Sequence, residues 1–338
     1  VIVQAIARAL DRRDLSRDEM ADVIGQIMDG GATPAQIGGL LVALRAKGET
    51  IDELVGAATA MRARAIPLAS PHPERSIDTC GTGGDGACTI NVSTIAAILI
   101  AACGGVVAKH GNRALSSKCG SADVLEALGV AIDAEPAIVE RCMRDVGIGF
   151  AFAPKFHAAT RHASAVRKEL GTRTIFNLLG PLTNPANVRH QVVGVYDQRW
   201  CEPMAAALGA LGVRRAAVVH GHRGLDEIEV AGDTHVAYWD GERVLPMTLS
   251  PASFGLRDVD PAGLAGSDVA HNARVMREVL AGELEGAPLH AAGMTAALGL
   301  ALLDGKLEHL PDHYARAIAV TRDGRATRVL ERWIEVSR

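Results

Sequence analysis

An α/β protein is predicted, with a small helical N-terminal domain and a larger α/β domain built on a mixed, mostly parallel central sheet. Three observations predict it. The first seventy residues carry helix-start signals at short intervals and no strand pattern. From Ser76 onward, β-branched runs alternate with polar loops and helical stretches, which implies crossover connections and a parallel sheet. A Pro-rich stretch separates the two regimes. The expected division is 1–70 for the helical domain and 76–338 for the α/β domain.

In the helical part, Ser16 with Glu19, Thr33 with Gln36 and Thr50 with Glu53 have the spacing of capping boxes, in which hydroxyl and N3 side chain satisfy each other's free N–H groups. Pro34 takes the first helical position, where its missing N–H costs nothing. Ile37, Leu40, Leu41 and Leu44 fall on one face; Gly30-Gly31 and Gly48 end the preceding helices. IPLASPHPERS, with prolines at 67, 71 and 73, reads as a linker. SIDTC then reads as a strand running into GTGGDGACTINVST, with a helix over 92–102. VVAKH reads as the next strand, followed by a polar loop over 109–121 and a helix over 122–128. Pro136 starts a helix that Gly147 ends. Past residue 190, QVVGVY, RRAAVVHG, DEIEV and THVAYWDGERVLPM read as strands, the last with an Asp-Gly hairpin turn. The last seventy residues read as mainly helical.

Composition narrows the function. The 338 residues carry a net charge of -4 and no basic run, so binding nucleic acid through its phosphates has little support. Aromatics are 3%, too few for base-stacking platforms, whereas 48% hydrophobic residues supply a sizeable core. The six cysteines form no C-x-x-C pair and no zinc spacing, which suits free thiols in a reducing cytoplasm. The apolar run VSTIAAILIAACGGVVA is too short and too interrupted for a membrane span. No leader-like segment opens the sequence, and a soluble cytoplasmic protein without membrane or nucleic-acid partners is expected.

Three segments carry chemistry. GTGGDG, 81–86, puts four glycines after a strand, and their N–H groups can form an anion nest. Asn91, Ser93 and Thr94 follow at a helix start, which favours phosphate. This is neither a Walker loop nor a dinucleotide fingerprint. The second segment is KHGNRALSSKCGS: Lys109 and Arg113 bring charge, Ser116, Ser117 and Ser121 hydroxyls, Gly111 and Gly120 backbone freedom. His110 and Asn112 suit a second, smaller ligand. Two anion loops after two strands suggest a ligand with phosphates at two ends, and many phosphates imply magnesium. Asp226 and Glu227 in GLDEIEV, with Asp85 and Ser93, are the oxygen donors for it. The third segment runs from Arg167 through KELGTRTIFNLLGPLTNP, where a guanidinium fork on a helix suits a carboxylate.

GTGGD, NVST, KHGNRALSSKCGSADVLEALG, VRKELGTRTIFNLLGPLTNP and GLDE, in this order, resemble the anthranilate phosphoribosyltransferases, over about residues 5 to 300. The resemblance implies the fold of the class II nucleoside phosphorylases, a homodimer, and transfer of phosphoribose from 5-phosphoribosyl 1-diphosphate to anthranilate with Mg2+. It implies a sugar-diphosphate site of Gly81, Gly84, Asp85, Thr89, Asn91, Val92, Ser93, Thr94, Lys109, His110, Gly111, Asn112, Arg113, Ala114, Leu115, Ser116, Ser117 and Ser121. Gly81, Asn112, His157, Arg167 and Pro181 match anthranilate contacts; Ser93, Asp226 and Glu227 match the metal positions. Lys109, His110 and Asn112 are the expected catalytic residues. The sequence departs from the family's pattern at His290, where an Asn usually starts a helix, and at Arg161.

Two other readings follow from the same residues. A pyrimidine nucleoside phosphorylase of this fold would carry a Lys-x-Ser-Gly-Arg-Gly type segment where KHGNRA stands. A nucleic-acid-binding paralogue would show a basic surface and eroded anthranilate contacts, against the -4 charge and the presence of Asn112 and Arg167.

Overall fold

A computed structural model describes residues 1–114 and 118–338. Four helices come first: α1 (Ile2–Leu10), α2 (Arg17–Met28), α3 (Pro34–Lys47) and α4 (Ile51–Arg62). All three capping boxes form, each with the hydroxyl accepting from the N3 amide and the N3 side chain accepting from the N-cap amide. The third is also a tertiary anchor. Glu53, wholly buried, accepts from Thr50 N at 2.9 Å, Leu15 N at 3.0 Å and Lys47 Nζ at 3.0 Å, joining three segments of the bundle. Ile37, Leu40, Leu41 and Leu44 are buried as one face.

The linker is strapped down: Ile66 N donates to Phe156 O and Leu68 N to Pro185 O. Strand–helix alternation then begins with β1 (Ser76–Gly81), α5 (Val92–Ala102), β2 (Val106–Gly111), α6 (Ser121–Leu128), α7 (Pro136–Asp145) and β3 (Ile148–Phe152). The short α8 (Ala153–Phe156), α9 (Arg161–Leu170) and α10 (Phe176–Leu182) lead to β4 (His190–Gly194), α11 (Cys201–Ala210) and β5 (Arg215–Gly221). A hairpin of β6 (Thr234–Trp239) and β7 (Val244–Leu249) precedes α12 (Val269–Leu280), α13 (Ala287–Asp304), α14 (Leu310–Arg322) and α15 (Arg325–Val336).

The seven strands form one sheet in the order β3-β2-β1-β4-β5-β6-β7. The first five are parallel and the last two pair antiparallel, so the sheet is mixed and mostly parallel. Its two faces belong to two cores. Ile77, Val107, Val192 and Val219 pack with α5, α6 and α12–α15. Val193, Val195, Ala216 and Val218 pack with α11, α10, α9 and the N-terminal bundle in one continuous core. Among the described residues α13 alone has the length and apolarity to cross a membrane, and 83% of it is buried inside the protein. The six cysteines are free thiols.

The structure corrects one strand. DEIEV does not join the sheet: residues 226–230 run as irregular backbone. Its Ile-Glu-Val alternation arises because Ile228 and Val230 insert into the core while the buried Glu229 carboxylate is taken by Arg223, through its backbone N, Nε and Nη2. At His290, Gly286 N-caps α13 and no side chain caps the helix; the imidazole instead shares a 2.6 Å hydrogen bond with Tyr314 OH.

Candidate active site

In the parallel part, the chain builds outward from β1 through β2 to β3 and then restarts on the other side at β4. The carboxyl ends of β1 and β4 therefore flank a topological switch point, where open α/β sheets bind ligands. Gly81 and Gly194 sit opposite each other there. Neither has room for a side chain. A Cβ on Gly194 would lie 1.6 Å from Asp226 O, and one on Gly81 2.6 Å from Asp226 Oδ2. The acidic loop thus lies directly across the strand ends, and the glycine loop wraps it: Gly83 N donates to Asp226 Oδ2 at 2.8 Å, and Asp226 N approaches Asp85 Oδ2 at 3.4 Å.

Three carboxylates meet at this point. Burial, then the Asp85 charge and hydrogen bond, push Asp226 up to about 7. Burial, then Asp226 and Asp85, raise Glu227 well above the usual range, against the opposing charge of Lys109. Carboxylates crowded in this way are stabilised by a shared cation. The oxygen donors of Asp226, Glu227 and Ser93 fit magnesium, which takes one or two carboxylates and completes its shell with water and phosphate.

Lys109 and His110 are neighbours on β2, so the pleat sends them to opposite faces. Lys109, buried, turns toward α5, where Nζ donates to Thr79 O at 2.7 Å and Ser93 Oγ at 3.3 Å. Its burial lowers its pKa, and the Asp78 charge works the other way. An ammonium has three N–H donors, so one remains for a ligand. His110 turns toward α10. Its Nδ1 lies 3.2 Å from Gly180 O, which only accepts, so Nδ1 carries the proton and Nε2 presents a lone pair. That Nε2 is buried without a partner, as is Nε2 of His157, whose ring centroid is 5.0 Å away. Burial pulls His110 down to about 3 and His157 to about 4, so both are neutral.

The segment from α9 to α10 supplies the cationic wall. Arg167 lies 5.1 Å over the Phe176 ring, and burial alone depresses its pKa, with no carboxylate pairing it among the described residues. Pro181 lies inside α10 and its carbonyl accepts from Gln191 Nε2 at 2.9 Å. The sequence reading missed Arg173, which donates to Gly84 O and stacks 4.2 Å over the Tyr196 ring. It also missed Asp78 and Asn184. Asp78 accepts from His110 N at 3.3 Å and from Asn184 Nδ2 at 2.8 Å, bracing the strand that carries both Lys109 and His110. An aspartate inside the otherwise apolar SIDTC was the available signal.

Several expected phosphate groups are engaged otherwise. The Arg113 guanidinium pairs with Glu126 at 2.8 and 2.9 Å and with Asp123 at 3.0 Å, on the exposed side of its loop. Asn91 does not cap α5; its amide bridges Cys119 O and Asn272 Nδ2. The first turn of α5, with Val92, Ser93 and the unpartnered Thr94 Oγ1, is therefore left without a side-chain cap. Thr89 bridges Ala265, pinning the far end of the glycine loop. Asn112 is exposed, and its carbonyl accepts from Ala122 N and Ser121 Oγ beside Gly111. Ala114 N donates to Asp123 Oδ2. Leu115, Ser116 and Ser117 lie outside the described residues.

Comparison with known proteins meets this geometry. Residues 3–65 match the helical bundle domain of a glycosyl transferase family, and residues 73–327 match its a/b domain. An anthranilate phosphoribosyltransferase of Anaeromyxobacter sp. strain K is 51% identical over 99% of this chain and 98% of its own. The chain belongs to the anthranilate phosphoribosyltransferase family. Within that family, the enzyme from Thermus thermophilus superposes with a TM-score of 0.92 at 41% identity, covering 98% of this chain and 99% of the other. The Saccharomyces cerevisiae enzyme, solved in complex with PRPP and Mg, superposes at 0.90 with 29% identity, covering 99% and 97%. The family's two-part fold is the one seen here, a helical bundle set against a mostly parallel sheet.

Proposed function

We propose that this chain transfers the phosphoribosyl group of 5-phosphoribosyl 1-diphosphate to the amine of anthranilate, releasing diphosphate, as a cytoplasmic step of tryptophan biosynthesis. The observation that carries this reading is the division of labour across β2. Lys109 reaches Thr79 O and Ser93 Oγ at the start of α5, with its charge felt by Glu227, while His110 turns to Gly180 O of α10 and to the His157 ring on the other face. The sugar diphosphate lies along the first face, cradled by Gly81, Gly84, Asp85, Thr89 and the start of α5. The aromatic acid lies against the second, its carboxylate on the Arg167 fork.

The amine is neutral at pH 7, so it needs no prior deprotonation. As it attacks the anomeric carbon, the bond to diphosphate breaks, negative charge grows on the leaving oxygen, and the extra proton on the new ammonium nitrogen leaves through the bare Nε2 of His110 to the departing diphosphate or solvent. Lys109, with its open N–H, and the amides of the glycine loop stabilise that charge where it develops. Asp226, Glu227 and Ser93 would hold magnesium, which when bound would supply positive charge against the diphosphate. Asn112 and the bare Nε2 of His110 orient the amine by accepting its N–H groups, which aims its lone pair at the sugar; positioning of this kind supplies much of the acceleration.

The helical domain over 1–70 and the α/β domain over 76–338 close over the two substrates about the linker at 67–73. The bundle also exposes Val3 and Leu10 on α1 and Val42 on α3, a face suited to a homodimer. The deciding experiment follows anthranilate fluorescence on mixing with 5-phosphoribosyl 1-diphosphate and magnesium. Loss of signal that a chelator abolishes supports the reading; a folded protein that leaves the fluorescence unchanged rejects it.

A further inference from the structure

The segment 167–176 carries two arginines, and both are placed in the same way. Each guanidinium stacks on an aromatic ring, Arg167 on Phe176 and Arg173 on Tyr196. Arg167 is the residue assigned above to the aromatic acid. Arg173 donates to the carbonyl of Gly84, inside the glycine loop. The Tyr196 on which it rests is itself tied to that loop, because Tyr196 N donates to Thr82 Oγ1 at 3.1 Å and Thr82 N to Gly194 O at 2.9 Å. On its other flank the Arg173 backbone is held by a turn: Thr174 N donates to Asn177 Oδ1 at 2.9 Å, and Asn177 N to Thr174 O at 2.9 Å. Gly83, Gly84 and Gly86 all have positive φ, so the loop has little local preference for one shape and depends on outside contacts.

We propose that Arg173 is a positioning residue: with Tyr196 it latches the glycine loop in its anion-binding shape and ties that shape to the segment bearing Arg167. The proposal rests on the function given above only for the identity of the loop's ligand. A guanidinium is suited to this work because it stacks on a ring through its plane while donating in that plane. The latch makes the sugar-diphosphate half of the site depend on a residue whose own segment packs against the N-terminal bundle.

The test is Arg173→Met, which keeps bulk and removes the donors, with Tyr196→Phe and Tyr196→Leu as a pair that keeps or removes the ring. Backbone hydrogen exchange over 81–87 is measured without substrates, and binding of 5-phosphoribosyl 1-diphosphate with magnesium by calorimetry. In Arg173→Met the loop amides should exchange about tenfold faster and the sugar diphosphate should bind about tenfold more weakly, the size expected for one charged hydrogen bond. KM for anthranilate should move less than about twofold, a split that a general loss of structure does not produce. Tyr196→Leu should follow Arg173→Met, and Tyr196→Phe should follow the parent. Unchanged loop exchange in a folded Arg173→Met overturns the latch, as does equal weakening of both substrates. A parent protein that consumes no anthranilate yet shows the exchange difference rejects the proposed function and leaves the latch standing.

Discussion

Lys109 and the buried histidines carry the predictions at the scale of single residues. Lys109→Met keeps the aliphatic stem in its slot and removes the charge. It should weaken 5-phosphoribosyl 1-diphosphate by about tenfold or more, since a charged contact is lost, and leave anthranilate nearly unaffected. Equal weakening of both ligands in calorimetry would reject the phosphate role. His110, His157 and His190 are all held down, to about 3, 4 and 4, chiefly by burial. Each takes a proton in the unfolded chain near pH 6.5 but not in the folded chain until far lower, so between those limits the unfolded state binds more protons. The histidine contribution to stability should therefore be flat above about pH 7 and fall as pH drops toward 4, by about 2 kcal/mol for each histidine at pH 5, while the raised Asp226 and Glu227 carboxyls, protonated earlier in the folded chain than in the unfolded one, work in the opposite direction. His190 lies away from the ligands, with Nδ1 on Ser76 O, so His190→Gln should reduce that slope in urea unfolding at pH 5, 6 and 7 without altering substrate binding. A slope identical to the parent's would remove His190 from this account.

At the scale of elements, the site depends on how closely the acidic loop lies on the strand ends. Gly194→Ala would drive a methyl into the Asp226 carbonyl and displace the Asp226 and Glu227 carboxylates. A misplacement of about 1 Å costs on the order of 100-fold in rate, and activity should fall at least that far. Gly83→Ala meets nothing within 4 Å but has φ of +62°, so it should cost only about 1 kcal/mol of stability. If the two substitutions lower kcat/KM alike, close approach is not what Gly194 supplies. The pair Asp226→Asn with Glu227→Gln should shift the magnesium titration of activity to higher concentration; an unmoved titration would take these residues out of the metal site.

For the whole molecule, closure and assembly are the open quantities. Scattering with both substrates present should show a smaller radius than without them, by a small margin, since the N-terminal bundle shares one core with α9, α10 and a face of the sheet. No compaction would count against closure. Leu10 is 68% exposed and Val42 49%, on helices α1 and α3 that pack against each other. Burying such a face drives association, so Leu10→Glu with Val42→Glu should convert a dimer to monomer in light scattering. A parent that is already monomeric would dispose of the dimer.

What could be read locally was read from the chain alone. Capping boxes, Pro34 and the glycine stops are encoded within four residues of where they act, so the bundle was legible helix by helix. The alternation of runs identified the parallel sheet, and GTGGD, KHGNRA and GLDE stood out by composition as the segments to examine. DEIEV misled because alternation records only which side chains are buried, not whether a neighbouring strand is there to accept the backbone. The partners of Arg113 were not legible either, since sequence shows a charge and not what meets it; here Glu126 and Asp123 of the next helix do. Arg173 and Asn184 were illegible because each acts on a residue far away in the chain, and the lone aspartate in SIDTC signalled a buried charge without revealing that His110 and Asn184 meet it. The opposed aim of Lys109 and His110 lies between the two cases. Alternation along a strand puts neighbours on opposite faces, but only the packing of α5 on one face and α10 on the other turns that into two half-sites. Local patterns specify which backbone and side-chain groups exist. Long-range contacts, set by the order of strands and the closeness of Gly81 and Gly194 to Asp226, specify which of them meet.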